Sequence, residues 1–465
     1  MSAMLQPEEH VLSTLERDGS RRWLYPRLSP GIYWKARRLV GYGLILLFVL
    51  LPHWKINHKP AILLDLLHRQ FSFFGLTLLP TDTLLLALFM VSVFLTIFLL
   101  TALYGRVWCG WACPQTVYLE YVFRPIERFF DNTTGKGGKP SSLTPGWRRS
   151  LKFVAYLLVS MLLAHTFLAY FVGVDQLSHW IMGSPFQHPV AFMVMAVVTG
   201  MMLFDFGYFR EQTCLVACPY GRLQSVLLDK QSIIVAYDAR RGEPRGKLRT
   251  ELPMATKQQG DCIDCGLCVR TCPTGIDIRQ GLQMECVHCT QCIDACDEIM
   301  DKIQKPRGLI RYSCQEEIEG KPHQKLRPRL VIYPLLLLVA ISAFVVALSR
   351  RSPVDVTVLR NLGSPFSITA DGLVQNTFTI KLVNRENEVR HYTIDLFDTG
   401  SVPRDQIKLE ANGQPWEGKP LELATHPLMI TVPKSAFAFG QYELKLAVKE
   451  GNIVQKEITC RLLGP

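Results

Sequence analysis

At 465 residues the chain is too long for one compact domain and has room for about three of ~150 residues each. Its 48% hydrophobic and 20% charged content would suit a soluble protein, but the apolar residues gather in runs long enough to span a bilayer. The formal net charge of +11 sits largely in loops beside those runs, the positive-inside pattern, and with no RNA- or DNA-binding motif present it excludes nucleic acid as the expected partner.

Residues 1–38 are polar and basic, with seven Lys/Arg and no apolar core ending in a small-residue cleavage site. They are expected to be a cytoplasmic segment, not a cleavable signal peptide. Residues 39–225 read as a four-span membrane domain. The spans are expected at Leu39–Trp54, Thr83–Tyr104, Phe153–Val174 and Pro189–Phe209. Between the first two, Asp65, His68 and Arg69 interrupt an apolar patch; residues 56–81 therefore read as a periplasmic hairpin or a re-entrant segment, not a span. The loop reaching Lys152 holds eight Lys/Arg and the Gly/Pro/Ser-rich stretch 134–146, and is expected in the cytoplasm. Residues 175–187 carry no Lys or Arg and are expected to face the periplasm.

A cytoplasmic region follows over 226–327, then a fifth span, Leu330–Leu348, within residues 328–350. Five spans put the chain ends on opposite sides and leave residues 351–465 periplasmic. That tail alternates polar and apolar residues at Val356–Leu359, Thr377–Val383, His391–Phe397, Ile407–Leu409, Met429–Val432, Tyr442–Val448 and Ile458–Leu462. About seven short strands at this spacing predict an immunoglobulin-like β-sandwich, a docking module with no catalytic constellation. Its one cysteine, Cys460, allows no internal disulfide.

Fourteen cysteines are many for such a chain, and eight of them fall in two blocks. Cys262, Cys265, Cys268 and Cys272 form the first; Cys286, Cys289, Cys292 and Cys296 form the second. Each reads C-x2-C-x2-C-x3-C, the bacterial ferredoxin spacing, in which the fourth cysteine of each run ligates the other cluster. The expected ligand sets are Cys262, Cys265, Cys268 and Cys296 for one 4Fe–4S cluster, and Cys286, Cys289, Cys292 and Cys272 for the other. Zinc ribbons use two C-x2-C pairs, not two triplets each with a trailing cysteine. Disulfides do not suit a reducing compartment. An α+β double-cluster domain is predicted.

Two further pairs repeat one another. Cys109 and Cys113 follow the second span, Cys214 and Cys218 follow the fourth, and both pairs read C-x3-C-P. A helical x3 would put both sulfurs on one face; the proline instead favours a loop that opens the next helix. Soft thiolates favour Cu(I), zinc or iron–sulfur clusters. The sequence leaves open one four-thiolate site or two two-thiolate sites. His165, His179 and His188, in or beside the third and fourth spans, are candidates for ligand or proton-relay duty. Met193, Met195, Met201 and Met202 allow a thioether track in the fourth span, although methionine is also ordinary packing. Asp205 is placed to pair with Arg210 or Arg222, Arg106 and Arg222 to act on the nearby thiols, and Cys314 reads as a plain buried residue.

The paired C-x3-C-P motifs, the double ferredoxin block, the fifth span and the terminal sandwich together resemble the FixG/CcoG/RdxA family of cytochrome oxidase accessory proteins. The stretches Phe204–Arg222 and Tyr237–Gly246 are similar to that family in detail. The resemblance implies a multi-pass protein of the bacterial inner membrane that assists assembly of a cbb-type oxidase. It implies a cupric reductase that converts Cu(II) to Cu(I), with copper as substrate at Cys109, Cys113, Cys214 and Cys218 and two 4Fe–4S clusters as cofactors. The implied partners are oxidase subunits or assembly factors and an unidentified cytoplasmic electron donor. Two other readings stand beside it: a quinol-linked membrane ferredoxin feeding a periplasmic enzyme, and a structural scaffold for the oxidase.

Overall fold

The structure is a computed structural model. It describes residues 13, 14, 18 and 20–465, apart from 57–58, 67–68, 81, 134–139, 141–144, 248–258, 322–326, 362, 387 and 438. Most of the Gly/Pro/Ser-rich stretch 134–146, much of residues 1–19 and His68 lie outside the described residues. The chain divides into two compact units: Met1–Pro80 with Leu86–Ser342, and Thr81–Leu85 with Ala343–Pro465.

The first unit is built on apolar helices. Four helices among the described residues are long and apolar enough to cross a membrane, and they carry the second to fifth expected spans. They include α2 (Thr83–Tyr104), α3 (Gly146–Val172), α5 (Pro189–Phe204) and α7 (Pro328–Ser349), with α5 continuing to Phe209 as a π-helical turn. A short helix, α4 (Val174–Met182), joins α3 to α5. The first expected span overlaps α1 (Ile32–Leu50), but this helix starts seven residues earlier and contains Lys35, Arg37 and Arg38. These charges keep α1 out of the four, and its apolar stretch of about a dozen residues runs on into the turn Leu51–His53 towards Trp54. A tertiary cap sets the early start. The Asp294 carboxylate accepts from the free backbone N–H groups of Tyr33 (3.2 Å) and Trp34 (2.7 Å).

Residues 62–78 form a three-stranded antiparallel meander of Ile62–Asp65, Gln70–Phe73 and Leu76–Leu78, the hairpin alternative of the sequence reading. The two cysteine blocks fold around helix α6 (Gln291–Lys302), the short helix Leu267–Arg270 and an antiparallel pair, Ile234–Tyr237 with Ile310–Ser313. Val235, Ile276, Ile278, Ile293, Met300, Leu309 and Ile310 pack about the cysteines as one apolar core. A single 3₁₀ turn, Ile278–Gln280, lies between the blocks.

The second unit is the expected sandwich. One sheet runs Lys408–Glu410, Leu423–Pro433, Leu373–Asn384, Val354–Arg360, and Ser367–Ile368 also pairs with Leu373–Asn384. The other runs Trp416–Gly418, Arg390–Asp398, Gln441–Glu450, Ile453–Leu463. All pairings are antiparallel, and the inward residues Ile380, Leu382, Leu428, Ile430, Leu446 and Leu462 are fully buried. All seven predicted strands form. The two extra ones, Ser367–Ile368 and Trp416–Gly418, are too short to show a two-residue period.

Candidate metal centres

The ferredoxin loops bring the predicted quartets together. Cys262, Cys265, Cys268 and Cys296 line one pocket. Cys272, Cys286, Cys289 and Cys292 line a second, which Cys268 also borders. The exchange of the fourth cysteine between blocks is thus a feature of the fold. Each tight loop turns through left-handed positions at Asp264 and Gly266 in one block and His288 and Thr290 in the other. Among the described residues no three His, Cys, Asp or Glu side chains close on a single metal ion. The two quartets instead line two separate pockets, a donor set that fits a pair of 4Fe–4S clusters. Burial pushes the thiols of Cys268, Cys286 and Cys296 up to about 12 and Cys289 to about 11. Such groups are held as thiolates only by the positive charge of a metal.

The C-x3-C-P motifs share one local design. Cys113 and Cys218 are extended (ψ 125° and 109°) and each precedes a helix whose first residue is proline: Pro114–Tyr118 and Pro219–Leu227. This is the loop-opening alternative of the sequence reading. Cys109 lies in the short helix Val107–Trp111, and Cys214 in the π-helical turn Thr213–Ala217. The two motifs converge. Cys214 is within electrostatic reach of Cys109, Cys113 and Cys218, and Cys218 is within reach of both Cys109 and Cys113. The fold thus brings the two motifs near one another, although among the described residues no three of these thiols close on a single metal ion.

Burial raises the Cys109 thiol to about 11 against the pull of the Arg106 guanidinium, and raises Cys214 to about 12. Cys109 Sγ donates to Gln224 Oε1 at 3.0 Å. That amide is oriented by its own donations to Thr101 Oγ1 (3.2 Å) and Tyr220 Oη (2.7 Å). Asp205 meets Arg210 through the backbone, its carbonyl accepting from the Arg210 N–H, and not through an ion pair with the guanidinium. It accepts from Gln115 (3.1 Å) and Thr213, tying the first motif to the second, while Arg210 forks onto Glu127 at 3.0 and 3.1 Å. The Arg106 guanidinium is one that acts on Cys109, lowering its thiol against burial.

The Cys109 motif sits against the second cluster loop. Cys109, Val287 and Cys289 form one buried apolar group with Tyr220 packed on it. Gly110 makes this approach possible, because a Cβ there would lie 2.6 Å from Val287 O and 2.7 Å from His288 O. Arg37, fully buried, bridges the loops: Nε donates to Gly110 O at 2.8 Å and Nη1 to Cys289 O at 2.7 Å. The Arg106 backbone N–H donates to His288 Nδ1 at 3.2 Å. Sequence reasoning missed Arg37, Gly110, Gln224 and His288; a lone arginine or glycine carries no spacing signal.

The remaining candidates scatter. Met193 and Met201 face outward, Met202 packs into the aromatic core with Phe206, and Met195 lines a separate cavity with His165 and His188, so the methionines form no track. His179 is not in that lining, and Cys314 is buried outside both cluster pockets.

Known proteins align with this arrangement. A family model described as a 4Fe-4S dicluster domain matches residues 209–315, one described as an IG-like fold at the C-terminal of FixG matches 344–465, and a 4Fe-4S binding domain matches 86–133. Protein RdxB of Cereibacter sphaeroides is 40% identical over 354 residues, 72% of each chain. Protein RdxA of the same organism is 34% identical over 92% of this chain and 90% of its own. The nitrogen fixation protein FixG of Rhizobium meliloti is 29% identical over 94% of this chain and 92% of its own.

Proposed function

The chain belongs to the FixG/RdxA family of membrane iron–sulfur electron-transfer proteins, and on that premise we propose that it is a cupric reductase acting in assembly of a cbb-type oxidase. Cys262, Cys265, Cys268 and Cys296 would hold one 4Fe–4S cluster and Cys286, Cys289, Cys292 and Cys272 the other, on the cytoplasmic side of the bacterial inner membrane. When bound, these groups supply one-electron storage and transfer.

The observation that supports the reading is that Cys109 shares one buried group with Val287 and Cys289, so the first thiol pair lies beside the loop of a cluster ligand. Cys109, Cys113, Cys214 and Cys218 receive the substrate Cu(II). Each turnover adds one electron, supplied by an external cytoplasmic reductant, and yields Cu(I). Soft thiolates stabilise Cu(I) over Cu(II), which eases the reduction. Gln224 and Arg106 orient and polarise Cys109, and Arg37 holds the two loops at fixed separation. The sandwich, on the periplasmic side, is the surface offered to the oxidase or its assembly factors.

The test is anaerobic. Dithionite-reduced, desalted protein receives Cu(II), and the reduced-cluster EPR signal is followed. Stoichiometric reoxidation in wild type, much slower in Cys109→Ser/Cys113→Ser and in Cys214→Ser/Cys218→Ser, supports the reading; equal rates reject it.

The match of residues 86–133 to a 4Fe-4S binding domain favours a second reading, in which the four-thiol site holds an iron–sulfur group of its own. Iron content separates the two. Copper handling requires about eight irons per chain, unchanged in the serine variants, whereas a third 4Fe–4S cluster requires about twelve, falling to about eight.

A further inference from the structure

The cavity lined by His165 and His188 has no part in the chemistry above. It lies between α3, α4 and α5 and measures about 280 Å³. A water's share of liquid volume is ~30 Å³, so the space is far larger than one ion or one water needs and close to the ~300 Å³ at which small-molecule pockets begin. Its walls are apolar and partly aromatic, with Leu168, Trp180 and Phe192 among them, and its two imidazoles are the chief polar groups. That is the composition of a site for a flat organic ring with a few polar atoms.

The imidazoles are prepared for oxygen atoms. His165 Nδ1 lies 2.7 Å from the Met161 carbonyl. A carbonyl only accepts, so Nδ1 carries the proton and Nε2 presents a lone pair. Such a nitrogen accepts a hydrogen bond from a phenolic hydroxyl. His188 stands at the start of α5 with its ring stacked on Trp180, centroids 5.3 Å apart at 30°. A ring seated beside Trp180 would thus meet an imidazole from α3 and another from α5. Both helices are long and apolar enough to cross a bilayer, so a lipid-dissolved ring with an apolar tail has access.

We propose that this cavity binds the ring of a membrane quinone, in its quinol or quinone form. The lining also holds the Met161 and Met195 thioethers, but among the described residues no three His, Cys, Asp or Glu side chains close on a single metal ion, so copper binding is the competing outcome of the test. The site is also separate from the thiols: the 16 residues of α5 alone rise ~24 Å between His188 and the turn that leads to Cys214.

The test uses the full chain in phosphatidylcholine nanodiscs free of quinone, with ubiquinone-1 as probe in equilibrium dialysis. Saturable binding of one ubiquinone-1 per chain is expected. His165→Leu should weaken it at least tenfold, and Ala191→Phe, which fills the cavity from a lining position, should abolish it, both with iron content unchanged. Cys109→Ser/Cys113→Ser should bind as wild type, so this result stands or falls independently of copper reduction. The proposal is overturned if wild type shows no saturable binding, or if Ala191→Phe binds as wild type. A His165-dependent copper equivalent in the absence of quinone binding overturns it as well.

Discussion

Replacing Gly110 by alanine tests whether the close seating of the Cys109 motif on the cluster loop matters. The new Cβ would lie 2.6 Å from Val287 O, 2.7 Å from His288 O and 2.8 Å from the His288 carbonyl carbon, all of them backbone atoms. Ordinary contact begins at 3.4 Å, so the loops must part by about 0.6–0.8 Å. Backbone cannot rotate away as a side-chain end can, and overpacking of this kind costs ~1–3 kcal/mol. The separation also lengthens the Arg37 bonds to Gly110 O and Cys289 O, now 2.8 and 2.7 Å, and loosens the buried group of Cys109, Val287 and Cys289. Gly110→Ala should therefore lower resistance to thermal unfolding in detergent and slow reoxidation of the reduced clusters by Cu(II). Gly43→Ala is the control: it lies in α1 with nothing within 4 Å of its Cβ, and should be neutral or slightly stabilising. If Gly110→Ala unfolds with wild type and reoxidises at the wild-type rate, the close approach has no energetic or functional weight.

Three further outcomes are expected. Arg37→Met removes two charge-assisted bonds worth ~1.5–3 kcal/mol each and strands two buried carbonyls, so its loss of stability in a thermal melt should exceed that of Gly110→Ala. In the sandwich, the Asp395 carboxyl is held below its usual value by Lys449 at 2.9 Å, opposed by partial burial and helped by Arg404 at 2.6 Å. With the folded value below the unfolded ~3.9, this stabilisation is complete above about pH 4 and is lost as pH falls through the folded value. The melting temperature of Asp395→Asn should accordingly fall less steeply between pH 5 and 3 than that of wild type. Anaerobic chelation of iron should expose residues 262–296, with tryptic cuts appearing at Arg270 and Arg279, while the sandwich transition stays in place; unchanged protection of both arginines would contradict a metal-dependent fold there.

The parts legible in the sequence are the local ones. Three thiols two residues apart wrap a cubane whatever surrounds them, so Cys262–Cys268 and Cys286–Cys292 announce their chemistry by spacing, and the pockets around them agree. Four of the spans follow from unbroken apolar runs, and the sandwich strands from a two-residue period that needs no partner to be seen. What tertiary structure alone decided lies between segments far apart in the chain. Arg37, in a stretch that reads as a basic tail, is buried as the clamp between Gly110, 73 residues on, and Cys289, 252 residues on. Asp294 starts α1 early by capping it from 260 residues away. Whether Cys109, Cys113, Cys214 and Cys218 make one site or two depends on how helices pack, and no spacing within either motif records that. The physical reason is one of range. Covalent spacing and hydrophobic period are properties of neighbours along the chain, whereas a backbone-to-backbone contact at a glycine, or a buried guanidinium between two carbonyls, exists only once distant segments have met.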